Sequence, residues 1–213
     1  MFEKVYLSAQ AEDDLKEYLR AQGYEIESFG PVGVLPEGIS CHPDLAFCRL
    51  TPDALFCGDI SRLGAKYPAD IIYNACSTGK YFIHSLKHTA QALLNMAKVS
   101  GLRLVDVPQG YAKCSIAVVS EDAIITYDRG IAEAASELEV LLINPGHINL
   151  PGYNTGFIGG CTGLDTYRKE LVFNGDLSMH PDGDRIRDFV TAHGVTVKDF
   201  PGRPLTDIGS IIF

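Results

Sequence analysis

The 213-residue sequence predicts an α/β fold: a five-bladed α/β propeller with pseudo-fivefold symmetry, forming one domain over residues 1–213. Three observations lead there. Four amphipathic segments carry apolar residues three or four apart, a spacing that gathers them on one helical face. Each segment is followed within a few residues by a short strand running into a Pro/Gly turn, and after each strand comes a hairpin-like stretch. The last ten residues, "PLTDIGSIIF", stop in the middle of what reads as a strand.

In chain order, "KVYLS" is a first strand and "AEDDLKEYLRAQG" a helix with Leu15 and Leu19 on one face and Gly23 to end it. The strand "EIESFGP" follows. "LAFCRLTPDALFCGD" reads as strand, polar turn, strand and terminal Asp. After it, "DISRLGAKYPAD" is too short and too rich in breakers for a helix and a strand, so this unit is predicted to be truncated. "DIIYNACSTGKYFIHS" is a hairpin turning at Ser77 to Lys80, leading into the helix "HTAQALLNMAKVSG" (Leu93, Ala97, then Gly101) and the strand "LRLVDVPQG". "CSIAVVSEDAIITYD" aligns without a gap on the earlier hairpin, "SEDAIITYD" over "TPDALFCGD", and leads to the helix "RGIAEAASELE" and the strand "VLLINPG". "CTGLDTYRKELVFNGD", the helix "DGDRIRDFVTAHG" (Ile186, Val190, then Gly194) and the strand "TVKDFPG" complete the series. The unit repeats at roughly 40 residues, a period typical of radial or solenoidal arrays.

A fifth hairpin then has halves only at the two ends of the chain. "DIGSIIF" is expected to pair with "KVYLS", which covers an apolar edge that would otherwise stand exposed and closes the ring. The alternative is an ordinary α+β domain whose regularity is coincidental.

Composition narrows the function. A formal charge of −9 without clustered Lys and Arg argues against a nucleic-acid partner. No apolar run is long enough to cross a bilayer, and "MFEKVYLSAQAEDD" lacks the order of a signal peptide, so no membrane partner and a cytoplasmic location are expected. The six cysteines form no Cys-x-x-Cys pair and are read as thiols, with no metal expected. There is no Gly-x-Gly-x-x-Gly and no Walker lysine loop, so no organic cofactor is implied. His84 and His88 stand four apart but lack acidic company for a metal.

Five hairpin–helix–strand units closed by the termini resemble the pentein superfamily, the α/β propellers that include guanidine-modifying deiminases, dimethylarginine hydrolases and amidinotransferases, together with a non-catalytic ribosome anti-association factor. "CHPDLAF", "QGYAKCS", "FIGGC" and "PLTDIGSI" resemble a bacterial branch of it to which no activity is assigned. For the catalytic members the shared motif is "HPD", His42 to Asp44, similar to the His-x-Asp strand of the deiminases. In those enzymes a Cys thiolate attacks the guanidinium carbon, the His moves protons, and carboxylates hold the cation through charge-assisted hydrogen bonds. The same three letters also suit a turn in which Asp44 accepts from local backbone.

Aligned hairpins bring Cys76-Ser77, Cys114-Ser115, Cys161-Thr162 and Gly209-Ser210 to corresponding first-strand positions, with His42 to Asp44 just before the equivalent place. In a propeller such positions converge on the axis, either as a site or because only small residues fit there. The hydrolases carry their nucleophile near the chain end, where this sequence has "TDIGSIIF" and no Cys. Two blades beyond His42, the spacing the resemblance implies, lies Cys114. It is the expected nucleophile, with Cys161 the alternative, His42 the proton carrier and Asp44 a partner in holding the cation. Asp207, Lys113, Asn74 and Ser210 are the expected substrate-binding residues. Lys113 is placed to lower the Cys114 pKa, against the tendency of strand neighbours to face opposite sides. Cys48 and Cys57 are expected to be inert core thiols. The functional expectation is a Cys-dependent hydrolase or transferase with a small cationic substrate as its partner. The alternative is a non-catalytic propeller that binds a macromolecule or a small ligand.

Overall fold

A computed structural model describes residues 3–213. They form a mixed α/β fold whose strands lie in five small sheets, none closed into a barrel. The first sheet pairs β1 (Lys4–Ser8) with β2 (Glu25–Phe29) in parallel, connected by α1 (Asp13–Ala21). The second is the antiparallel hairpin β3 (Phe47–Thr51) and β4 (Ala54–Cys57). The third joins the hairpin β5 (Cys76–Ser77) and β6 (Tyr81–His84) to the parallel strand β7 (Arg103–Asp106) across α2 (Gln91–Val99). After the single helical turn α3 (Ala112–Ser115), the fourth joins β8 (Ala117–Ser120) and β9 (Ala123–Thr126) to β10 (Glu139–Leu142) across α4 (Arg129–Ala134). The fifth joins β11 (Thr162–Asp165) and β12 (Glu170–Phe173) to β13 (Thr196–Lys198) across α5 (Gly183–Ala192).

Local chemistry explains the repeated pattern. Three of the Asp residues that end the hairpins accept from the backbone of the turn that follows: Asp59 from Ser61 N at 3.0 Å, Asp128 from Ile131 N at 2.9 Å, and Asp176 from Ser178 N at 2.9 Å. Each satisfies an amide that a helical turn leaves without a partner. At the other end of the helices, Gly23, Gly101 and Gly194 take φ of 90°, 74° and 72°, the left-handed cap that glycine reaches without strain. In the second unit, Asp59 to Asp70 holds only a short 3₁₀ turn at Ile60–Arg62, and no third strand joins β3 and β4.

The two ends of the chain meet. Tyr6 N donates to Ile212 O at 2.8 Å and Ile212 N to Tyr6 O at 3.1 Å, an antiparallel bridge. Ile208 and Ile211 pack with Val5, Leu7, Leu15 and Leu19 in one buried cluster, so the apolar C-terminal segment is covered by the first unit. Among the described residues, no helix is long and apolar enough to cross a membrane.

Three sequence expectations are corrected locally. Cys114-Ser115 lies on the turn α3, because Asn74 takes up its first amides: Lys113 N donates to both the backbone and the side-chain oxygen of Asn74, at 3.1 and 3.0 Å. His42 to Asp44 enters a 3₁₀ turn, Pro43–Leu45, which matches the turn reading of these letters and not the strand that the resemblance implies. Cys57, expected in the core, is exposed at the end of β4.

Candidate functional site

A cavity of about 230 Å³ has four polar residues, His42, Cys114, Asp207 and Thr155. Its walls are Ile39, Leu45, Tyr111, Leu150, Tyr153 and Phe157. Sequence segments far apart supply it: the "HPD" turn, the turn α3, the irregular stretch 148–157 and the C-terminal segment.

Cys114 sits where these segments meet. Its thiol donates to Asp44 Oδ2 at 3.1 Å, while Asn74 Nδ2 donates to the sulfur at 3.3 Å and Asn74 Oδ1 accepts from the Cys114 amide at 3.3 Å. Asn74 thus clamps the cysteine, and its second Nδ2 contact, to Asp44 O at 3.2 Å, ties the "HPD" turn to it. Asp44 Oδ2 also accepts from Ser210 Oγ at 2.7 Å, whereas Oδ1 is buried with no hydrogen-bond partner. Asp207 accepts from the Phe157 amide at 2.9 Å and the Gly209 amide at 3.0 Å, and its Oδ1 lies 3.8 Å from His42 Nδ1.

Glycines make this convergence geometrically available. A Cβ on Gly160 would overlap the carboxyl group of Asp207, and one on Gly209, at φ 72°, would overlap His42. Gly159 similarly lies against the backbone of Lys113 and Ile116, so the "FIGGC" glycines approach the turn that carries Cys114 and the acid Asp207.

Burial dominates the electrostatics. It pushes the carboxyl groups of Asp44 and Asp207 up, Asp207 to about 6, and pushes the His42 imidazole down, favouring the neutral ring. The Cys114 thiol is pushed well above its usual value by burial, then by the charges of Asp44 and Asp207. The expected help from Lys113 fails for a geometric reason. Its Nζ turns away from the sulfur to donate to Ser210 Oγ at 2.9 Å and Gly159 O at 3.3 Å, and its side chain lines a separate cavity of about 1,180 Å³ together with Ser77, Thr162 and Ile211. Lys113 is linked to Asp44 by hydrogen bonds through Ser210, and its charge also acts on Asp44 and Asp207 across space.

The structure therefore brings together Cys114, His42, Asp44, Asp207, Asn74 and Ser210. Cys161, the alternative nucleophile, lies outside the cavity: it packs with Ile158, Leu171 and Phe173, and its thiol donates to Ile158 O at 3.2 Å. His84 bonds Thr89 Oγ1 and Gly110 O, while His88 bonds Ser85, so the two do not share a ligand position. His42, Asp44 and Cys114 offer a nitrogen, an oxygen and a sulfur within 4.8 Å of one another, a donor set that also suits a borderline-soft divalent ion. Sequence reading missed the aromatic walls. Phe157 stacks between Tyr111 at 6.3 Å and Tyr127 at 5.8 Å, and the Tyr111 hydroxyl donates to Asp70. The available signal was the run of rings in "GYNTGF", in a stretch with neither helix nor hairpin pattern.

Comparison with curated proteins and with solved structures finds no match. Residues 59–212, most of the sequence and all of the site except the "HPD" turn and Ile39, match a family of unknown function (DUF6873), and the chain belongs to that family.

Proposed function

We propose that the chain is a five-bladed propeller of the pentein type, and that its Cys114 cavity serves a cysteine-dependent hydrolase or transferase acting on a guanidine-type cation. Five small sheets and the bridge between Tyr6 and Ile212 support the ring. One observation carries the chemistry: the Cys114 sulfur, a His42 ring nitrogen and an Asp44 oxygen lie within 4.8 Å of one another at a cavity that also presents Asp207.

Such a group can work as follows. A guanidinium carbon is a poor electrophile because its charge is delocalised, so it must be held in line before a thiolate attacks. In the free protein burial and, after it, the two carboxylates oppose the thiolate; a cation bound against Asp207 offsets the carboxylates' share. The thiol proton passes to His42 as the carbon–sulfur bond forms. His42 then returns that proton to the amine as the carbon–nitrogen bond breaks, leaving a thiouronium. Water adds to that carbon, giving up a proton to His42; the carbon–sulfur bond then breaks, the His42 proton returns to the Cys114 sulfur, and the urea-type product leaves as its remaining acidic proton passes to solvent. Asp207 orients His42 and holds the cation. Asp44 fixes the thiol, and Asn74 positions Cys114.

A panel of guanidino and amidino compounds, assayed for ammonia, amine or urea-type product, tests this. Turnover that persists in EDTA and is abolished by Cys114→Ala and by His42→Ala supports the reading. Absence of turnover across the panel removes it. The second reading, a non-catalytic binding propeller, is favoured by one observation: the Cys114 thiol is buried and held protonated in the free protein. It predicts binding without product.

A further inference from the structure

This inference rests on the cationic-substrate reading and names the class of substrate. The cavity is small, about 230 Å³, below the roughly 300–1,000 Å³ of drug-sized sites. Six of its ten lining residues are aliphatic or aromatic. Its charged groups are acidic: Asp207 in the lining and Asp44 behind Cys114, with His42 held neutral by burial and no Lys or Arg among the described lining residues. Lys113, whose charge reaches both acids, is not among the lining residues and donates its hydrogen bonds to Ser210 and Gly159.

That asymmetry discriminates. A ligand carrying a carboxylate would bury an anion beside two acids with no cation to meet it, which is costly. A ligand carrying one delocalised cation and a short apolar arm would meet an acid at one end and ring faces along the other. Cations favour aromatic faces, and apolar arms favour the walls. These walls are fixed in advance. Phe157 is stacked between Tyr111 and Tyr127, and its own amide bonds Asp207, so the ring and the acid are set by the same residue. The Tyr111 hydroxyl is tied to Asp70, which leaves its ring as the cavity wall. Tyr153, 46% exposed, stands at the solvent side.

We propose that the substrate is a singly charged guanidinium or amidinium bearing a short apolar N-substituent and no carboxylate, selected by Tyr111, Tyr153 and Phe157 against Asp207.

The test uses the full chain with Cys114→Ala, which keeps the cavity and removes turnover, in calorimetric titrations with n-butylguanidinium, L-arginine and n-butylurea. n-Butylguanidinium is expected to bind at least tenfold more tightly than either of the others. Adding Tyr153→Ala, at a half-exposed position, is expected to weaken n-butylguanidinium several-fold. Equal or tighter binding of L-arginine overturns the proposal, as does equal binding of neutral n-butylurea or no binding of n-butylguanidinium at millimolar concentration. Steady-state assays of the wild-type chain separate this from the catalytic reading. Turnover of L-arginine as efficient as that of n-butylguanidinium sinks the substrate class and leaves catalysis standing, whereas the binding preference without turnover sinks catalysis and leaves the class.

Discussion

Replacing Gly160 with Ala tests the construction of the site more sharply than removing any of its polar groups. The new methyl would overlap the carboxyl group of Asp207. Asp207 has little room to retreat, because the Phe157 and Gly209 amides hold its two oxygens and Gly156 lies against its Cβ. The backbone at 160 is equally fixed, since Gly160 O accepts from Ile208 N at 3.0 Å and Ser210 N at 2.7 Å. Overpacking a tight site costs about 1–3 kcal/mol. Losing a hydrogen bond to a charged group adds about 1.5–3 kcal/mol. A total of about 2.5–6 kcal/mol would lower Tm by about 5–24 °C in a chain of this size. The informative measurement is a double-mutant cycle by urea unfolding. Asp207→Ala removes the atoms that the methyl strikes, so Gly160→Ala should cost about 1–3 kcal/mol less in that background than in wild type. Additive effects, or a Gly160→Ala variant within about 0.5 kcal/mol of wild type, would refute the placement of Asp207 against this turn.

Four further outcomes are expected. Ile211→Ala, in the cluster shared by the two ends of the chain, should destabilise by about 2–5 kcal/mol in chemical denaturation; a cost near zero would mean that the C-terminal segment is not packed on β1 and α1. With brief iodoacetamide treatment and mass mapping, Cys57 should label first and Cys114 slowly in the free protein, reversing the order expected from sequence, because Cys57 is exposed and Cys114 is buried with a raised pKa. Asp207 has a folded pKa of about 6 against an ordinary 3.8, so its contribution to stability is present below pH 3.8 and lost as pH rises through 6. The wild-type minus Asp207→Asn difference should therefore fall by about 3 kcal/mol over that window, and a flat difference would show that Asp207 is not desolvated. His84 has the opposite sign: its pKa is pushed down to about 4 from 6.5 by burial, so stability is present above pH 6.5 and lost as pH falls toward 4. Relative to His84→Gln, wild type should lose about 3 kcal/mol on that descent.

Much of the fold was legible because its signals are local. The helical spacing of Leu15 with Leu19 and Ile186 with Val190, the Gly caps and the hairpin Asp residues each act within a few residues of themselves, and each appears in the structure as expected. The pairing of the ends was legible by elimination, from an apolar strand with no neighbour in sequence. The conformation around Cys114 was not, because Asn74, forty positions away in sequence, supplies the acceptors that wind residues 112–115 into a turn. For the same reason the direction of Lys113 could not be read: alternation along a strand does not apply to a helical turn. The aromatic walls were missed since a ring in an irregular stretch gives no periodic signal, and only the packing of Phe157 between Tyr111 and Tyr127 gives them a role.

The remaining asymmetry concerns charge. Asp44 is fully buried with one oxygen unpartnered, and Asp207 is buried beside an imidazole that burial keeps neutral. Lys113 is linked to Asp44 through Ser210, and its charge favours the ionised form of both acids. Ser210 holds a left-handed backbone at φ 74°, a conformation that costs a non-glycine residue about 1–2 kcal/mol. Glycine would relieve that cost but would break the hydroxyl link from Lys113 to Asp44. A strained serine kept between a lysine and a buried acid stabilises Asp44 from behind, on the side away from the cavity. In front, toward Cys114 and the aromatic walls, no protein cation among the described residues faces the two acids. An arrangement that fixes two carboxylates, orients a thiol against one of them and leaves their common side without positive charge is unfavourable for the protein alone. Under the proposed function it becomes favourable when a cation arrives, and the same arrival offsets the charge of the two acids, which after burial is the next cause that holds the Cys114 thiol protonated. On that proposal, binding and activation of the nucleophile are linked electrostatically, so the charge of the ligand, more than its shape, should decide whether Cys114 reacts.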